Sequence, residues 1–136
     1  MCQFFSAIVF RSGDIRWCED DSHETIIERL GLDDAAPLLT RGWVRVECVP
    51  PHVAVRVDET STPGWYDEER AAIDGRVCDL ALRVGPARRA YDEAIATARL
   101  ADREACATAS RPYNEAIATA LRACYASIEG YVYDIH

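Results

Sequence analysis

Whatever chemistry this chain performs falls to three histidines, six cysteines, fifteen arginines and twenty-three carboxylates. His23 stands in Asp21-Ser22-His23-Glu24, which places an acid, a hydroxyl and an imidazole side by side. Neighbours at a helix start have diverging side chains, so helix capping accounts for this run better than a catalytic triad does. His52 follows two prolines and His136 is terminal. None of the cysteines forms a CxxC pair or has a histidine at ligand spacing, so no metal site is expected. Phosphate-binding and dinucleotide-binding glycine motifs are both missing. The carboxylate groups Asp20-Asp21, Asp33-Asp34, Asp58-Glu59 and Asp67-Glu68-Glu69 read as solvated charge in turns and helix starts. No catalytic residue, metal or cofactor is therefore expected.

Arginines and aromatic residues offer more. The basic set is all arginine, with no lysine, and guanidinium forks grip phosphate and carboxylate in pairs of hydrogen bonds. GC-rich coding produces the same bias. Arg99 and Arg103 are four apart and share one helix face, and Arg111 and Arg122 form another stripe. Tyr91 and Tyr113 recur at one repeat position, with Asn114 beside the second, and Trp17, Trp43, Trp65 and Tyr66 supply flat surfaces. Arginine forks, an aromatic face and an amide together suit an anionic nucleotide-like ligand. The competing account pairs these arginines with nearby Glu and Asp and buries the aromatics.

The elements that must position these residues follow from periodicity. Gln3–Arg11 and Asp14–Glu19 flank Ser12-Gly13 and read as a hairpin. Asp21 is the expected N-cap of a short helix, with Glu24 completing a capping-box pattern, Ile26, Ile27 and Leu30 on its apolar face, and Gly31 as its stop. Trp43–Val49 and Val53–Val57 alternate as strands. A helix is expected from about Thr62-Pro63, interrupted at Gly85-Pro86. Beyond it an eleven-residue repeat, AYDEAIATARL, ADREACATASR, PYNEAIATALR, stacks Ile95, Cys106 and Ile117 on one face. Pro112 either kinks this helix or lies in the first turn of a new one capped by Ser110. Tyr131–Ile135 is read as a strand returning to the sheet edge.

These readings give one α+β domain over residues 1–136. An N-terminal antiparallel sheet of about five strands with a short helix (1–59) packs against long Ala-rich helices (60–129), followed by the returning strand (130–136). The net charge of −8 disfavours nucleic acid duplexes and anionic membranes as partners. No apolar run is long enough to span a bilayer. The start, Met1-Cys2-Gln3-Phe4-Phe5, lacks the features of a secretion signal, so a cytoplasmic location with free buried thiols is expected.

The order of hairpin (Phe4 to Trp17), Ser22-His23-Glu24, Val44-Arg45-Val46-Glu47, Val55-Arg56-Val57-Asp58 and Pro63-Gly64-Trp65-Tyr66 before long helices resembles small phage-encoded proteins, the anti-Thoeris sponges that sequester cyclic ADP-ribose signals. The resemblance implies an antiparallel sheet of six or so strands, two long C-terminal helices, and homo-oligomers that hold a small cyclic nucleotide at a subunit interface without cleaving it. It implies an aromatic platform, an amide and helix arginines as binding groups. Trp17 and Arg56 on the sheet, and Arg99, Arg103, Arg111 and Asn114 on the helices, are the positions that would serve.

Overall fold

A computed structural model describes residues 5–38, 40–48, 55–104 and 110–133, with side chains described throughout except at 102–104 and 110–112. His52, His136, Cys2 and Cys106 lie outside these residues. The protein is α+β, with strands β1 (Phe5–Phe10), β2 (Ile15–Trp17), β3 (Trp43–Cys48) and β4 (Val55–Val57) and helices α1 (His23–Leu30), α2 (Gly64–Glu104) and α3 (Ser110–Tyr125). It divides into two compact units: residues 1–82 with 129–136, and residues 83–128. The division runs inside α2 rather than at a linker.

In the first unit the four strands form an antiparallel sheet in the order β2-β1-β3-β4. Hydrophobic alternation sets its two faces. The register Trp17–Ala7–Val46–Val57 puts these residues on one face, while Ser6, Glu47 and Arg56 align on the other. On the second face α1 lies against β1 and β2, joining Ile26 and Ile27 to Ile8, Cys18 and Trp43 in one buried cluster. The first face is apolar and buried through Ala7, Val9, Ile15, Trp17, Val44 and Val46. The first half of α2 meets it where the Cys78 thiol hydrogen-bonds that of Cys48. Ile73, Val77, Leu80 and Ala81 are its buried stripe.

The cap of α1 falls one residue later than expected. Ser22 Oγ accepts from Thr25 N–H. Asp20 organises the turn instead, accepting from Ser22 N–H and the Thr25 hydroxyl, and Asp21 takes a left-handed conformation at φ 55°. Gly31 ends the helix in the left-handed region, as expected. The returning segment makes one parallel bridge, Trp17 to Tyr131, rather than a run of ladder pairs. Residues 134–135 of the expected strand lie outside the described residues. Cys18, Cys48, Cys78 and Cys124, the cysteines among the described residues, form no disulfide.

Gly85-Pro86 does not break α2, which continues from Gly64 to Glu104. Pro86 forfeits one backbone bond. Val77, Leu80, Ala81 and Val84 before it and Arg88 and Ile95 after it are buried, so packing on both sides holds the helix through the defect. Pro112 lies in the first turn of a separate helix, α3, and the three repeat copies therefore do not stack on one continuous helix. In the second unit the inner residues Val84, Arg88, Tyr91 and Ile95 are spaced by four and three, a heptad-like seam. Tyr91 packs on Tyr125 at 5.4 Å between ring centres and Arg99 Nε donates to the Tyr113 hydroxyl at 3.1 Å, so the paired helices run antiparallel.

Candidate functional site

Four of the six expected ligand residues come to one end of the second unit. Arg99 and Arg103 belong to the last two turns of α2, and Arg111 and Asn114 to the first two turns of α3. Arg99 is exposed and its bond to Tyr113 ties the two helices there. That bond holds the guanidinium firmly in its charged form. Asn114 is exposed on the next residue. The side chains of Arg103 and Arg111 lie outside the described ones, so only their backbone positions are placed. α3 has no acidic residue in its first turn, whereas α1 has Glu24 and α2 has Asp67. No carboxylate therefore offsets the positive end of the α3 dipole within its first turn.

Trp17 and Arg56 belong to the other unit and stand on opposite edges of its sheet. Trp17 is fully buried: Phe5 and Tyr131 pack on it at 6.0 and 5.0 Å, and its indole N–H donates to the Glu129 carbonyl at 2.8 Å. It anchors the returning segment and offers no platform to a ligand. Arg56 is exposed and donates to Glu47 Oε2 at 2.6 Å across β3 and β4. Its charge is already met by a carboxylate.

A second constellation surrounds Glu47. His23, the first residue of α1, is buried, and its Nε2–H donates to the Val46 carbonyl of β3 at 2.9 Å. That bond fixes the ring and turns Nδ1 toward Asp58 Oδ2, 3.7 Å away. Asp58 is held by its backbone N–H, which donates to the Arg45 carbonyl at 2.9 Å. One ligand atom each of His23, Glu47 and Asp58 lies within 4.8 Å of the other two, the combination among the described residues that could hold a metal ion. Nearby, Glu24 is kept below its usual carboxylate range, first by its own backbone N–H at the helix start, then by Ser22, His23 and Arg45. Arg45 is itself engaged by Glu59 at 3.1 Å and by Asp34.

No protein-family model, curated protein or solved structure matches the chain. Helix spacing puts Arg99 and Arg103 on one face; that Arg111 and Asn114 start a separate helix beside them depends on α3 turning back, which spacing alone left open. The convergence of His23 with Glu47 and Asp58 does not follow from spacing either, because its members come from three elements. The signal that pointed to half of it was strand alternation, which puts Glu47 and Arg56 on one face and Asp58 two residues further on the same side.

Proposed function

We propose that the protein is an immune-evasion sponge: it binds a cyclic ADP-ribose-type nucleotide in the cytoplasm of a host cell and holds it without cleaving it. The observation that supports this reading is the Arg99–Tyr113 bond, which ties the α2 end that carries Arg99 and Arg103 in sequence to the α3 start that carries Arg111 and Asn114. The α+β layout, an antiparallel sheet followed by helices, agrees in outline with what the resemblance implies, although the described sheet has four strands rather than six or so. Arginine forks would take the phosphates, Tyr113 the base, and Asn114 an edge of it. Trp17 drops out of the binding set because it is buried, and Arg56 because Glu47 holds it.

Sequestration is stoichiometric, so affinity must be high. A Kd near a nanomolar corresponds to about −12 kcal/mol, which calls for several desolvated arginine–phosphate contacts and stacking. A site shared between copies would supply twice the arginines. Leu82 and Leu100, half or more exposed on α2, favour such self-association. They also favour a second reading, in which the helical pair is an oligomerisation arm.

Isothermal titration with cyclic ADP-ribose isomers and cyclic oligonucleotides, followed by chromatography of the released ligand, tests the proposal. Tight binding of one isomer, recovered intact, is the expected result, and Arg103→Ala weakens it by more than about tenfold. Absence of heat with every nucleotide, together with a concentration-dependent oligomer, leaves the oligomerisation arm in its place. Cleaved ligand in the eluate would make the protein an enzyme.

A further inference from the structure

The geometry points to a divalent transition-metal site built by His23, Glu47 and Asp58 on the α1 face of the sheet. The 3.7 Å between His23 Nδ1 and Asp58 Oδ2 is too long for a good hydrogen bond. It is close to the separation of two ligands on one ion: bonds of about 2.1 Å put neighbouring donors about 3.0 to 3.4 Å apart. The third donor, from Glu47, lies within 4.8 Å of both. Glu47 is half-buried and Asp58 exposed beside the β3–β4 edge, which leaves their side chains room to rotate toward a shared ion.

The histidine is prepared for such a role. Its Nε2–H is committed to the Val46 carbonyl, which fixes the tautomer and leaves Nδ1 as the donor. An Nδ1 lone pair facing a carboxylate is repulsive unless a proton or a cation lies between them. Glu47 is oriented by Arg56, which takes one of its oxygens and leaves the carboxylate another to offer. The charge around the site is mixed: Glu47 and Asp58 lie about the imidazole and Glu24 is within electrostatic reach of it, while Arg56 offsets part of the Glu47 charge and Arg45 is engaged by Glu59 and Asp34. The α1 N-terminus opposes a cation, and Glu24 in its first turn offsets it. One imidazole with two carboxylates suits Mn²⁺ or Zn²⁺ better than Mg²⁺ or Ca²⁺, which prefer oxygen donors alone. Three protein donors leave positions open for water or a ligand.

The test uses the full chain stripped by chelator. Mn²⁺ is the first probe, because the Cys48–Cys78 thiols compete for Zn²⁺ but poorly for Mn²⁺. Loss of the aquo-Mn²⁺ electron paramagnetic resonance signal reports binding, and Mg²⁺ serves as the comparison. Saturable binding of one Mn²⁺ per chain below about 1 mM is expected. Asp58→Asn and Glu47→Gln, both at solvent-accessible positions and checked for native circular dichroism, each weaken it by about tenfold or more. Asp14→Asn, an exposed carboxylate on the β1–β2 turn, leaves it unchanged. Absence of Mn²⁺ and Zn²⁺ binding up to about 1 mM overturns the assignment. So does wild-type affinity in both Asp58→Asn and Glu47→Gln.

Discussion

Gly130→Ala should be among the most damaging single substitutions in the chain, although it adds one methyl group near the C-terminus. Gly130 sits at φ +84°, and a Cβ built there falls 2.0 Å from the Ile15 carbonyl oxygen and 3.3 Å from Trp17 Cδ1. The oxygen belongs to β2, so either that strand or the returning segment must move by more than an ångström. Moving the segment is cheaper, and it breaks three bonds: Trp17 N–H to Gly130 O (3.0 Å), Val132 N–H to Trp17 O (2.9 Å) and the indole N–H to Glu129 O (2.8 Å). At about 1 kcal/mol each, with about 1–2 kcal/mol for a left-handed alanine, the loss comes to about 4–5 kcal/mol. That is a large share of a typical domain stability of about 5–15 kcal/mol. Gly31→Ala is the control. Gly31 has the same sign of φ, +66°, but nothing lies within 4 Å of its added Cβ, so only the conformational cost of about 1–2 kcal/mol applies. Urea denaturation followed by tryptophan fluorescence reads the comparison, because Trp17, Trp43 and Trp65 all belong to the first unit. If Gly130→Ala costs no more than Gly31→Ala, the returning segment is not anchored as described.

Ser22→Ala removes the cap that accepts from Thr25 N–H and should cost about 1 kcal/mol in the same assay; an unchanged midpoint would return the cap to Asp21. Burial pushes the Cys18 thiol up to about 12 and that of Cys48 up to about 11. Neither should react with a disulfide reagent at pH 8 until the protein is unfolded, and rapid labelling of the native protein would contradict their placement. Burial raises the Glu19 carboxyl, but the fork from Arg29 (2.7 and 2.8 Å) and the Tyr131 hydroxyl more than reverse this, so its folded value lies below the unfolded one. Such a group contributes stability above its unfolded pKa and loses it as pH falls through the folded one, which lies below the ordinary glutamate value. Glu19→Gln should therefore cost about 3 kcal/mol at pH 7 and progressively less toward pH 3; a gap that does not narrow would refute the linkage.

The elements were legible where local pattern and tertiary packing agree. The alternation of Trp43-Val44-Arg45-Val46-Glu47-Cys48 became β3, and Gly31 stopped α1 where its left-handed preference says it should. Elements were misread where packing overrules a local rule. Pro86 ought to interrupt a helix, but buried neighbours on both sides carry α2 through it. The eleven-residue repeat has the same period in one long helix as in two antiparallel ones, so it could not reveal that α3 is separate. Trp17 illustrates the limit for sites: an alternating aromatic on a strand looks the same as platform or core. Only the register, with Tyr131 and Phe5 packed on its ring, assigns it to the core.

The two binding proposals draw on opposite local charge, and they can fail separately. The proposed arginine site at the ends of α2 and α3 sits in a chain of net charge −8, so it would gain little from the overall field and would depend on its own arginines. The His23 cluster is favoured by that same field. Rising salt should therefore weaken both, since each depends on unscreened charge, but the substitutions should not cross over. Asp58→Asn alters the metal titration and leaves nucleotide affinity alone, because Asp58 lies in the first unit and the arginines in the second. Arg103→Ala does the reverse. If Asp58→Asn also abolished nucleotide binding while the fold stayed intact, the metal and the nucleotide would belong to one site. Open positions on the ion would then be where the phosphates bind, and the arginine junction would lose its claim to them.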